Sequence, residues 1–101
     1  MPIRNEPLFG LGQVVATPAA IEFCEANAVH LLTLVRRHSL GDFGDMNRDD
    51  IAANTQAIKS SARVFSSYRV GTSKVWVITE ADRSSTCVLL PEDRKSTRLN
   101  S

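Results

Sequence analysis

Residues 74–91, KVWVITEADRSSTCVLLP, constrain the fold most. Two short apolar runs, Val75–Thr79 and Thr86–Leu90, are rich in β-branched residues. Between them lies a polar stretch, Glu80-Ala81-Asp82-Arg83-Ser84-Ser85. Runs of this length and type, broken by turn-forming residues, predict a β-hairpin. The rest of the chain is expected to pack around it.

Upstream, Leu11–Ala16 reads as a short strand, weakened at its start by Gly10 and Gly12. Thr17-Pro18 starts a helix, because threonine caps open amides and proline fits the first helical position. That helix runs through Ala19–Ala26 with Ala20, Phe23 and Cys24 on one face. Val29–His38 predicts a second helix, with Leu31, Leu32, Val35 and His38 inward and Gly41 as its stop. Asn47 is placed to cap a third helix, with Asp49 and Asp50 in its first turn and Ile51, Thr55, Ile58 and Ala62 inward. Arg63–Val70 reads as a strand that turns through Gly71–Ser73 into the hairpin. The order is β-α-α-α-β-β-β. Short connections make the last three strands antiparallel neighbours. The predicted class is α+β, an antiparallel sheet with helices packed on one face.

A length of 101 residues supports a single domain, here expected over residues 1–92. The apolar fraction of 43 % and charged fraction of 23 % are those of an ordinary globular protein. Residues 93–101, DRKSTRLNS, match a translated sequencing adapter and are set aside as an artefactual or disordered tail of a metagenomic fragment. The tail holds Asp93, Arg94, Lys95 and Arg98, so the formal charge of +1 becomes −1 without it. No global field then argues for nucleic acid. No apolar run approaches the roughly 18 residues of a membrane span, and the N-terminus lacks a signal pattern, so a cytoplasmic location is expected. Cys24 and Cys87 are expected as reduced thiols, with a disulfide as the alternative.

Two polar segments stand out as binding candidates. Asp42, Phe43 and Asp45 form a glycine–aspartate loop around one aromatic ring. Glu80, Asp82, Arg83 and Ser84 carry more charge than a tight turn needs; the alternative is that Asp82 and Ser84 simply close the turn, with Arg83 pairing Glu80. Asp42, Asp45, Asp49 and Asp50 do not follow the calcium-loop spacing, so no metal is assigned. His30 and His38 have no evident catalytic partner and read as packed or capping residues. No catalytic residue and no cofactor are assigned. Tyr68, Arg69, Lys74, Trp76 and Arg83 interleave bases with aromatics, the pattern of a sheet that stacks RNA bases.

Several blocks resemble a small family of bacterial proteins carried on plasmids and other mobile elements. They are LGQVVATP at residues 11–18, Arg37-His38, GDFGD at residues 41–45, Asn54, FSSY at residues 65–68, VWVITEADRSST at residues 75–86, and LLPE at residues 89–92. The family tends to carry tryptophan where this chain has Phe43. The resemblance implies a mobile-element setting and no particular activity. The element order is also similar in outline to RelE/ParE toxins, which would imply ribosome-dependent messenger RNA cleavage.

The expected function is therefore a small macromolecule-binding module acting by protein–protein contact, in an anti-defence or regulatory role. Its expected contact surface joins the Gly41–Asp45 loop to the Glu80–Thr86 turn. The alternative is a RelE-like mRNA interferase or other RNA-binding toxin using Tyr68, Arg69 and Arg83. An exposed edge strand makes a homodimer an expected assembly as well.

Overall fold

The computed structural model describes residues 7–91. The segment read as an adapter-derived tail and the expected domain end at residue 92 lie outside that range. The elements are β1 (Gln13–Ala16), α1 (Pro18–Ala26), α2 (Leu31–Ser39), α3 (Arg48–Ser60), β2 (Val64–Val70), β3 (Ser73–Thr79) and β4 (Ser85–Leu89). The class is α+β and the order is the one expected from the sequence.

The expected sheet needs one correction: it is mixed, not antiparallel. Its strand order is β1-β4-β3-β2, with β2/β3 and β3/β4 antiparallel and β1 parallel to β4. Gly12 sits in the left-handed region, and a side chain there would overlap the Arg83–Ser84 backbone. That close approach lets the Gln13 N–H donate to the Ser84 carbonyl (3.1 Å), and Thr17 N–H closes the ladder on Val88 (3.0 Å). A glycine far in sequence from its partner thus admits the contact that starts the β1/β4 ladder.

Two helices start as their sequences dictate. Thr17 Oγ1 accepts from the Ala20 N–H, with Pro18 in the first turn of α1. Asn47 Oδ1 accepts from the Asp50 N–H (2.8 Å), and Asp49 and Asp50 face the positive end of the α3 dipole. Ala20 and Cys24 of α1 and Leu34 and Val35 of α2 pack on Tyr68, Val70, Val75, Val77 and Val88 of one sheet face. A second cluster joins Phe9, Phe43, Ala57 and Val64. By strand alternation, Phe65, Trp76, Ile78 and Leu89 lie on the opposite face.

Two expected helix stripes are displaced. In α2, Leu34, Val35 and His38 are buried, whereas Leu32 is 61 % exposed. In α3 the buried residues are Asn54 and Ala57, while Ile51 and Thr55 face water. The reason is the place of α3: it runs beside the edge strand β2, where a small residue and an amide fit.

That placement seals the β2 edge. Asn54 Nδ2 donates to the Phe65 carbonyl and Asn54 Oδ1 accepts from the Phe65 N–H. One side-chain amide thus supplies both bonds a neighbouring strand would make. Two residues on, Ser67 N–H donates to the Phe43 carbonyl (3.1 Å) and Ser67 C=O accepts from Asp45 N–H (2.6 Å). Gly44, in the left-handed region, makes this approach feasible, because a side chain there would overlap the Ser67 carbonyl and the Tyr68 ring. Asn54→Ala should cost about 1–3 kcal/mol through the stranded Phe65 amide and carbonyl. A lower urea midpoint with increased self-association checks this; an unchanged midpoint contradicts it.

Candidate functional site

The Gly41–Asp45 loop is held against the sheet. Asp42 forms a 2.7 Å ion pair with Arg37, which lowers the carboxyl pKa below the usual range. The Arg37 guanidinium lies over the Tyr68 ring (4.7 Å), and the Tyr68 hydroxyl donates to the Asp42 carbonyl (2.6 Å). Phe43 is 5 % exposed and belongs to the core. Asp45 is exposed and lies 3.7 Å from Lys74.

The Glu80–Thr86 turn is fastened elsewhere. Asp82 accepts from the Ser84 N–H (3.0 Å), as an aspartate closing a turn does. Glu80 pairs with Arg63 (3.3 Å) rather than with Arg83. Arg83 adopts a left-handed backbone, φ 61°, and folds its guanidinium inward. Nη1 donates to the carbonyls of Ala62 (2.6 Å), Glu80 (3.0 Å) and Ala81 (3.3 Å), and Nη2 donates to Ala57 (3.2 Å). The cation caps the C-terminal end of α3, where the helix dipole favours positive charge. Among the described residues, no hydrogen bond or ion pair joins this turn to the Gly41–Asp45 loop. Ser84 and Asp82 are exposed, but Arg83 is committed to the fold.

The candidate nucleic-acid residues divide. Arg69, Lys74 and Trp76 share the sheet face opposite the helices, with Trp76 edge-on to Phe65 (5.2 Å). Tyr68 faces the helices and is 1 % exposed, so its ring offers no surface for a base. Arg83 lies in the turn that caps α3.

A buried polar chain runs behind these segments. His38 is fully buried; Nδ1 meets Ser66 Oγ (2.5 Å) and Nε2 meets Thr79 Oγ1 (2.9 Å). Thr79 Oγ1 meets Thr86 Oγ1 (2.7 Å), and Thr86 donates to the Leu11 carbonyl (2.7 Å). The carbonyl can only accept, which fixes every proton before it. Thr86 spends its proton on Leu11, so Thr79 donates to Thr86. His38 therefore donates from Nε2 and accepts from Ser66 at Nδ1. The Ser66–His38 pair resembles a nucleophile with its base, but both residues have no exposed surface, so no substrate reaches them. Burial, with a smaller contribution from the Arg83 charge, lowers the His38 pKa to about 4.

An accessible cavity opens beside the β1 edge, and the sequence did not single it out. It is a groove of about 360 Å³ between the β1 edge and helices α1 and α2. Val14, Ile21, Val29, Leu31, Leu32 and Val35 line it, and Cys24 closes its floor. Burial raises the Cys24 pKa, which keeps it a thiol and a poor nucleophile. A shallower recess continues past Val14 and Leu32 to Leu11 and Arg36. Val14 and Val15 are 41 % and 42 % exposed, and Ile21 and Leu32 are exposed as well. Such apolar residues on one strand and two helices are unusual at a single edge. The signal available in the sequence was an uncharged strand, Gln13–Ala16, beside a helix with one leucine too many for its inward stripe.

The strand itself is open. Gln13 and Thr17 direct their N–H groups at β4. By alternation, Val14 and Ala16 direct theirs outward, and no backbone partner meets them among the described residues. Among those residues, no group of three or more His, Cys, Asp or Glu could hold a metal ion, and no helix is long and apolar enough to cross a membrane. Among the described residues Cys24 and Cys87 form no disulfide, so the expected alternative of a bridge between them is not met. Comparison with known proteins returns no matching family model, no matching curated protein and no matching solved structure.

Two predictions follow from the packed polar groups. Arg83→Lys should destabilise the fold by about 1–3 kcal/mol, because an ammonium cannot span carbonyls of both helix end and turn; thermal unfolding checks it, and an unchanged transition contradicts it. His38 binds its proton near pH 6.5 unfolded and near pH 4 folded, so the unfolded chain holds more protons in that window. Stability should therefore be flat above pH 6.5 and fall by about 3 kcal/mol on going to pH 4. The drop should shrink in His38→Gln when unfolding free energies are measured against pH.

Proposed function

We propose that the protein is a non-catalytic binding module that acts by protein–protein contact, with the β1 edge and its groove as the contact surface. The occupant is an extended polypeptide strand with apolar side chains on alternate positions. Its main chain would bond Val14 and Ala16 while one side chain entered the groove, the mode of strand addition to a sheet edge. One observation carries this reading: exposed apolar side chains from three separate elements converge on a sheet edge whose main chain is open among the described residues. The expected surface of loop plus turn is less favoured, since Phe43 and Arg83 are bound into the fold. The resemblance to plasmid-borne proteins would put such a module in a bacterial cytoplasm, in an anti-defence or regulatory role on a mobile element.

An RNA-binding reading draws on a different observation, the grouping of Arg69, Lys74 and Trp76 on the outer sheet face. Against it, Lys74 is paired with Asp45 and the Trp76 ring is packed edge-on against Phe65.

Backbone amide shifts of the labelled protein separate these readings. An alternating valine–threonine peptide should shift Val14, Ala16, Leu31 and Val35. The same peptide N-methylated at alternate amides should not. Shifts confined to Gly41–Asp45 and Glu80–Thr86, or shifts at Arg69 and Trp76 with oligouridine and none with peptide, would overturn the proposal.

A further inference from the structure

We infer that the strand accepted by β1 is β1 of a second copy of the chain, giving a continuous eight-stranded sheet across a two-fold axis. This rests on the reading of the β1 edge as a contact surface.

The register is self-complementary. The outward-facing residues Val14 and Ala16 are symmetric about Val15. Antiparallel pairing about Val15 sets Val14 of each copy opposite Ala16 of the other, and each pair exchanges two main-chain bonds. Val15 then meets its own mate at a non-hydrogen-bonded position, where side chains approach most closely. A strand of four residues supplies this arrangement in full.

Charge favours the same occupant. Residues 13–17, QVVAT, carry no charge, whereas edge strands that stay solitary commonly hold a lysine or an inward charge. The net charge of +1 sets up no repulsion between copies. Glu25 borders the groove alongside Val14–Ala16, and Arg36 borders the recess toward Leu11. Antiparallel pairing reverses one copy against the other, so the acidic end of each groove faces the basic end of its mate.

The helices point the same way. A two-fold axis normal to the sheet keeps both helix layers on one side. Ile21 on α1 and Leu32 on α2 then meet the partner's helices and edge instead of water.

Sedimentation equilibrium of the full chain over a wide concentration range tests this. The mass should rise to twice the 11.1 kDa of the chain. Val15→Lys, which sets two ammonium groups side by side at the axis, should hold the mass at one chain with an unchanged circular dichroism spectrum. Glu25→Lys should weaken the dimer, and adding Arg36→Glu should restore it. A single-chain mass at every concentration, or a dimer indifferent to Val15→Lys, overturns the inference. The peptide shifts at Val14 and Ala16 report on the edge separately: with them present and no dimer formed, only the identity of the occupant is wrong.

Discussion

The structure hangs on the hydrogen-bonded chain from Ser66 through His38, Thr79 and Thr86 to the Leu11 carbonyl. It joins helix α2 to three successive strands and to the segment that precedes β1. Its last acceptor has no proton to give, so each donor before it has one orientation. A buried network of this kind stabilises only when every member is satisfied. No buried side-chain nitrogen or oxygen among the described residues lacks a partner. Phe9 packs edge-on against the imidazole at 5.2 Å, which keeps water from it.

The placement of β1 follows from that chain. Leu11 is bound by Thr86, Gly12 passes close over Ser84, and Gln13 begins the ladder along β4. The first strand is thereby laid parallel on the last, and the sheet acquires two unlike edges. The β2 edge is occupied by the Asn54 amide and the Gly44 loop. Among the described residues the β1 edge meets no main-chain partner, and aliphatic side chains border it. The open edge also lacks the lysine or inward charge that commonly protects a solitary strand.

Much of the architecture was legible because it rests on local chemistry. Thr17-Pro18 and Asn47 mark helix starts through their own side chains, and Val75–Thr79 and Thr86–Leu90 alternate as a hairpin must. The turn between them closes through Asp82 and Ser84 as its sequence suggests. What could not be read depends on distant partners. Nothing near Gly12 announces that its neighbour is Ser84, so the parallel pairing was invisible. Nothing beside Asn54 in the sequence marks its role, because its partners are main-chain groups of Phe65. Arg83 looked available because the sequence shows its charge and not the four carbonyls that absorb it. Leu32 fell at the expected helical spacing, yet faces outward because the stripe is rotated toward Leu34 and His38.

The contrast between the edges is the central claim, and amide hydrogen exchange tests it most directly. At a dilution where the chain sediments as one copy, the Phe65 and Ser67 amides should exchange slowly. The Val14 and Ala16 amides should then exchange at nearly the rate of an unstructured chain. Equal protection on both edges under that condition, or fast exchange at Phe65 and Ser67, would contradict the account.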